Sequence, residues 1–264
     1  VESVTVVAGS EKGAKQRVRE FSGLEWDAAR QRLLAVSDRG WLLTLQTAAP
    51  GSSVAVSARR ELAEQRVDAE SLCVDAQHQL HVADEKAGKL LRFADEASAS
   101  VAGDLPGPLS TLETRQRPNS GVEALACHER YGVIAAPQRA VEGDPGVHRL
   151  YASSGRTWAF RADPAGFSTV KAFHLLDSQR LLVLEKVFVD PQHRTVLREV
   201  DLAGCPTNAP CSPPMVVVAG GGIDDKDNFE GLACKDAATC WLVSDGDAND
   251  GTRTVLAQVK LTRQ

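Results

Sequence analysis

Long apolar runs are missing from this 264-residue chain; no stretch approaches the ~20 residues that cross a bilayer, so no membrane span is expected. Sustained helical periodicity is missing as well, and very little helix is expected. Lys and Arg are scattered rather than run together, and the net charge of −5 leaves no basic footprint for nucleic acid. The six His show no metal spacing and the Cys form no pair of CxxC clusters, which excludes the usual zinc sites. A G-x-S-x-G elbow and a phosphate-cradling glycine loop are both absent. Methionine occurs once, at Met215, and the chain starts at Val1, so its numbering is expected to begin after a removed segment. What remains, 43% hydrophobic and 25% charged residues, is ordinary for a folded globule and argues against disorder.

What is present is a repeat. Phe21–Leu45 reads as a short segment opening Ser-Gly-Leu, a turn at Asp27-Ala28, an apolar strand over Leu33–Val36, a Ser-Asp-Arg-Gly stop and a further strand at Trp41–Leu45. The pattern returns at Val67–Phe93 and Phe229–Leu261, with vaguer copies from Val122 and Phe167. Aligning the opening tetrapeptides places Ser22, Glu70, Glu123, Ser168 and Glu230 in one frame, spaced 48, 53, 45 and 62 residues apart. Repeats of this length, each too small to bury its own faces, mark a β-propeller. Five copies predict an all-β, five-bladed β-propeller forming one domain over 1–264, with blades at about 21–66, 67–117, 119–164, 166–222 and 228–264. The strand at Val4–Ala8 has no repeat of its own and the last copy shows three strands, so the N-terminal strand is expected to close the fifth blade.

Spacing also pairs the cysteines. Cys205 with Cys211 and Cys234 with Cys240 suit local loops, and Cys73 and Cys127 follow Glu70 and Glu123 on adjacent inner strands. Three disulfides imply an oxidising compartment, periplasmic or secreted, against the alternative of buried thiols in a cytosolic protein.

The first strand of each blade lines the central channel, and the end of the antiparallel second strand lies beside its start. The channel mouth is therefore expected to gather the framed ring and the strand exits Asp38-Arg39, Asp84-Glu85-Lys86, Gln138-Arg139, Glu185-Lys186 and Asp245-Gly246-Asp247. Three carboxylates on one axis repel unless a cation joins them, and an oxygen-only donor set favours Ca²⁺ over zinc. Ser22, Glu70, Glu123, Ser168 and Glu230 are thus expected to bind Ca²⁺. Arg39, Lys86, Arg139 and Lys186 follow the second strands and suit a small anionic, phosphorylated substrate, with Asp84 and Asp245 beside them. Asp38 or Glu185 is expected to position or deprotonate water. Asp245–Gly251 (DGDANDG) resembles the start of a calcium loop, but its Gly falls one place late and Leu256 stands where Glu is needed, so a polar hairpin turn is expected.

The ring order Ser, Glu, Glu, Ser, Glu, together with FSGL…SDRG, VEAL…PQRA, GFSTVKAF…LLVLEK and FEGLAC, resembles the five-bladed calcium-activated nucleotidases, or apyrases. FSGLEWD…LLAVSDRG and DNFEGLA are also similar to the bacterial phytase-like propellers with esterase-like activity. The nucleotidase resemblance implies that the five ring residues hold one central Ca²⁺ and that Asp38, Arg39, Arg139, Glu185 and Lys186 face the substrate. It departs at Gln138-Arg139, where the family has paired arginines, and at Val187-Phe188, where it has two acids. The expectation is a monomeric calcium-dependent hydrolase of phosphate esters or anhydrides. The alternatives are a non-catalytic propeller with structural calcium that binds an anionic ligand or protein, and a calcium-dependent lactonase or esterase.

Overall fold

The computed structural model describes residues 1–7, 19–46, 54–63, 67–94, 99–111, 121–140, 144–162, 166–189, 192–207, 209–219, 222–223, 227–246 and 254–261. Ala8, Asp247 and the rest of the loop to Gly251, and most of Gly220–Lys226 lie outside them. Apart from one short 3₁₀ turn at Gly107–Thr111, the described elements are strands. Blade one contains β2 (Phe21–Asp27), β3 (Arg32–Ser37), β4 (Trp41–Gln46) and β5 (Ala55–Glu61); blade two contains β6 (Ala69–Val74), β7 (Leu80–Asp84), β8 (Lys89–Phe93) and β9 (Ala99–Asp104). Blade three is β10 (Val122–His128), β11 (Gly132–Pro137), β12 (Val147–Ala152) and β13 (Thr157–Arg161); blade four is β14 (Phe167–Leu175), β15 (Arg180–Val189), β16 (Gln192–Asp201) and β17 (Met215–Val218). The fifth sheet has the order β1-β20-β19-β18, from β1 (Ser3–Val6), β18 (Phe229–Cys234), β19 (Thr239–Ser244) and β20 (Val255–Lys260). The N-terminal strand therefore closes the ring, pairing Ser3 with Gln258 through Val6 with Val255.

Alternation along each strand explains how such small sheets bury a core. In β3, Leu33 and Ala35 point into the wedge shared with blade five, while Leu34 and Val36 point into the wedge shared with blade two. Every adjacent pair of blades encloses one such apolar cluster, giving five in all. Inner strands meet closely at the centre: a Cβ on Gly23 would lie 3.0 Å from the Ser71 Cα of the next blade, which is why glycine follows the ring position there.

All three expected disulfides form, and none of the six cysteines is free. The Cys73–Cys127 bond staples the inner strands of blades two and three across 54 residues of sequence, a separation worth about 4 kcal/mol of unfolded-state entropy. Among the described residues no helix is long and apolar enough to cross a membrane.

Candidate functional site

Each inner strand carries a bulge, at the strand's start in four blades and four residues in for blade four, and the bulged residue is the one aimed at the channel. Register shifts occur between Phe21 and Gly23, Ala69 and Ser71, Val122 and Ala124, and Phe229 and Gly231, leaving Ser22, Glu70, Glu123 and Glu230 unpaired in the ladder. In blade four the shift falls between Val170 and Ala172. The ring residue there is Lys171, three positions beyond Ser168. VKAF, not FSTV, is the tetrapeptide that matches FSGL and VEAL, and the correction evens the adjoining spacings to 48 and 59 residues.

The ring opens into a cavity of about 360 Å³ lined by Ser22, Asp38, Asp68, Glu70, Glu85, Glu123, Gln138, Lys171, Glu230 and Asp245, with Phe21 at its edge. Seven of these are carboxylates and one is a lysine. The second tier follows from strand register as the ring does. Asp38, Glu85, Gln138 and Asp245 each follow the exit of a second strand, and each backbone N–H bonds the carbonyl two residues before the ring, at Glu20, Asp68, Gly121 and Asn228. The cavity-facing residue of blade two is thus Glu85, while Asp84 turns away to accept the Ala87 N–H at 3.2 Å. Asp68 enters the cavity from the column two before the ring, outside the repeated tetrapeptide. That column also holds Glu20 and Asn228, which is the polar signal that marks it.

Charge is unevenly compensated around the cavity. Lys171 Nζ lies 2.7 Å from Glu230 Oε2 and 3.4 Å from Glu123 Oε2. Burial pulls the ammonium's pKa down, but the two carboxylates outweigh it and leave it above its ordinary value. Gln138 Nε2 donates to Glu123 Oε1 at 2.6 Å. Even so, burial pushes Glu123 up to about 8. Across the channel, Asp68, Glu70 and Glu85 bring three carboxylate oxygens within 4.8 Å of one another. Burial, and then the charges of Glu123, Glu85, Asp38 and Asp68, hold Glu70 well above the usual carboxylate range. Asp38 is pushed up to about 7 by burial and by Glu20, Asp245 and Asp68, and its Oδ1 is enclosed without a hydrogen-bond partner.

Ser168 and Glu185 do not reach this cavity. They lie between blades three and four, where Ser168 Oγ donates to Glu185 Oε2 at 3.1 Å and shares a 2.7 Å hydrogen bond with His148 Nε2, and Arg198 binds Glu185 Oε1. The grouping contains the residue types of a nucleophilic triad but not its geometry. Glu185 approaches the same ring nitrogen as Ser168, at 4.0 Å, rather than Nδ1, and all three side chains are buried.

The four bases do not form a ring either. Arg39 is 62% exposed and pairs with Glu20, its Nη2 lying 2.6 Å from Oε1. Lys86 and Arg139 are exposed, and Lys186 donates to Asn228 Oδ1 at 2.6 Å, with Asn228 donating in turn to Glu230. By register Lys186 stands at the level of Asp38, one residue short of Arg39, Lys86 and Arg139.

Below the ring, Glu25 and His174 occupy the same position in blades one and four, three residues past Ser22 and Lys171, with Nδ1 and Oε1 3.8 Å apart. Burial pushes Glu25 up to about 8 and His174 down to about 4. A carboxyl whose folded pKa is raised stabilises the fold only below its unfolded pKa, and that contribution drains away as pH rises towards the folded value. Glu25→Gln therefore gains stability over the wild type by roughly 2 kcal/mol between about pH 6.5 and about pH 9, read by denaturant unfolding. An unchanged difference across that window would mean Glu25 is already ionised in the native channel.

A family model described as phytase-like, with the legend "esterase-like activity of phytase", matches residues 16–248. No curated relative matches the sequence. Solved structures similar to this chain include a gluconolactonase from Xanthomonas campestris, at 11% identity over 99% of this chain and 96% of that one with a TM-score of 0.47. The PQQ-bound aldose sugar dehydrogenase of Streptomyces coelicolor shares 11% identity over 98% of both chains, TM-score 0.49. Virginiamycin B lyase from Staphylococcus aureus shares 8% over 98% of this chain and 99% of that one, also with a TM-score of 0.49. At these identities the likeness carries no functional argument.

Proposed function

The chain belongs to the phytase-like family, and from that premise we propose that it is a calcium-dependent hydrolase of phosphate esters with its reaction centre in the acidic cavity at the channel mouth. One observation carries the reading: seven carboxylates surround the cavity, a single lysine answers two of them, and three of the others converge within 4.8 Å. An all-oxygen donor set of that charge suits a hard divalent ion. Asp68, Glu70 and Glu85 would hold Ca²⁺, with Ser22 and the neighbouring backbone carbonyls at its margin, rather than the full ring. When bound, the ion supplies charge neutralisation for a phosphoryl group and its developing negative charge.

The chain's own groups do the rest. Asp38 faces the same space with an unsatisfied oxygen. Its burial keeps it half protonated near neutrality, and a neighbouring cation favours the ionised form that accepts a proton from water. Lys171 remains engaged by Glu123 and Glu230 and so offsets part of the charge on that side of the cavity, while Asp68, Glu70 and Glu85, whose Oε1 accepts the Gly121 N–H, would face the ion. Three disulfides accord with action in the periplasm or outside the cell.

The test is hydrolysis of phytate, an aryl phosphate, nucleoside di- and triphosphates, an aryl acetate and a simple lactone, with Ca²⁺ and then with chelator. Calcium-dependent phosphate release is expected, and Asp38→Asn lowers kcat by about 10²- to 10⁴-fold without loss of calcium binding. Turnover confined to the acetate or lactone would replace the phosphate reading with the esterase or lactonase one; silence throughout would turn it to a ligand-binding propeller.

A further inference from the structure

Blade four stands taller than the other four. Its inner strand β14 begins at Phe167, four residues ahead of Lys171, whereas β2, β6, β10 and β18 each begin one residue ahead of their ring residue. Three extra residues at about 3.4 Å each raise this blade roughly 10 Å above the mouth. β15 and β16 lengthen to match, and the added rungs set Phe167 opposite Phe188 and Phe188 opposite His193. The two phenyl rings lie 5.9 Å apart and are 44% and 41% exposed. Paired aromatics left open beside a cavity mark a place where something apolar and flat docks.

What the rings attract is decided by the cations around them. The Arg139 guanidinium lies 5.1 Å from the Phe167 ring and the Lys186 ammonium 5.3 Å from the Phe188 ring. Arg139 is exposed and makes no ion pair with a carboxylate among the described residues. The wall is therefore positive and aromatic where the cavity below it is acidic. The two are joined directly. Arg139 follows Gln138, which holds Glu123, and Lys186 reaches Glu230 through Asn228.

We propose that this wall is a binding subsite for a flat aromatic anion, the aryl phosphate portion of the substrate, with its ring against Phe167 and Phe188 and its charge facing Arg139 and Lys186. The inference names a substrate class for the site proposed above and rests on that reading for its role in turnover; the binding itself requires no metal. Two of the four bases singled out in the sequence, Arg139 and Lys186, would thus act at the rim, through aromatic neighbours that a linear pattern does not pair.

Calorimetric titration of the intact protein with phenyl phosphate and with methyl phosphate, both in chelator, tests it. Phenyl phosphate is expected to bind about tenfold tighter, and Phe188→Ala or Phe167→Ala to erase that preference. Arg139→Gln weakens phenyl phosphate several-fold and flattens its salt dependence. Equal affinities for the two phosphates, or an unchanged preference in Phe188→Ala, would overturn the proposal. Self-association seen by light scattering and lost in Phe188→Ala would overturn it too, assigning the face to a second copy of the chain. Because these measurements exclude calcium, they stand apart from the hydrolysis panel, and failure of one is not failure of the other.

Discussion

Calcium at about a hundred times its dissociation constant is expected to raise the melting temperature by roughly 5–10 °C, and Glu70→Gln to abolish the rise. Saturation at that level stabilises the native state by about 2.7 kcal/mol, and a domain of this size gains roughly 2–4 °C per kcal/mol. Glu70 is the discriminating position because its environment is already unfavourable to charge. Burial and the neighbouring Glu123, Glu85, Asp38 and Asp68 all raise its pKa. In chelator, Glu70→Gln removes one repelling carboxylate and is expected to unfold no earlier than the wild type. A residue needed only for packing would behave oppositely, lowering stability with and without the ion. A calcium shift of equal size in wild type and Glu70→Gln would remove Glu70 from the ion site, and with it the Asp68–Glu70–Glu85 assignment.

Lys171→Met has the largest expected cost. Removing one partner from a buried ionic cluster leaves the others uncompensated, at about 3–5 kcal/mol, and here two carboxylates, Glu123 and Glu230, lose their common ammonium at once. Protonation can relieve them. Glu123 already sits near 8 with the lysine in place, and without it the pKa rises further. Its native protonated form is favourable at low pH and lost as pH rises, so the deficit of Lys171→Met is small near pH 5 and greatest above about pH 8. Calcium should restore part of the loss at high pH, since the freed carboxylates add donors, and the calcium-induced rise in melting temperature becomes larger than in the wild type. A variant that melts within a degree of the wild type in chelator at pH 8 would show that the cluster is solvated rather than closed.

The blade count, the closing strand and the three disulfides were all legible in the sequence, because each depends on spacing. A strand, a tight turn and a returning strand write themselves into local order of apolar and turn residues, and Ser22, Glu70, Glu123 and Glu230 could be framed because their tetrapeptides look alike. The tertiary structure alone decided where the frame falls in blade four. FSTV imitates FSGL in spelling, yet the bulge lies at Lys171, since what selects the channel-facing residue is the break in the β14–β15 ladder rather than the resemblance of letters. Ser168, three positions before the bulge, does not face the channel, and it and Glu185 instead rest against His148 and Arg198 between blades three and four. Asp68 and Glu85 joined Glu70 for a related reason: one precedes the ring and the other leaves the second strand, and only the hydrogen bond from the Glu85 N–H to the Asp68 carbonyl brings them to a common edge. The balance of charge at the mouth was equally out of reach of the linear chain, because Lys171 meets Glu123 and Glu230 across 48 and 59 residues, a meeting made by closing the ring.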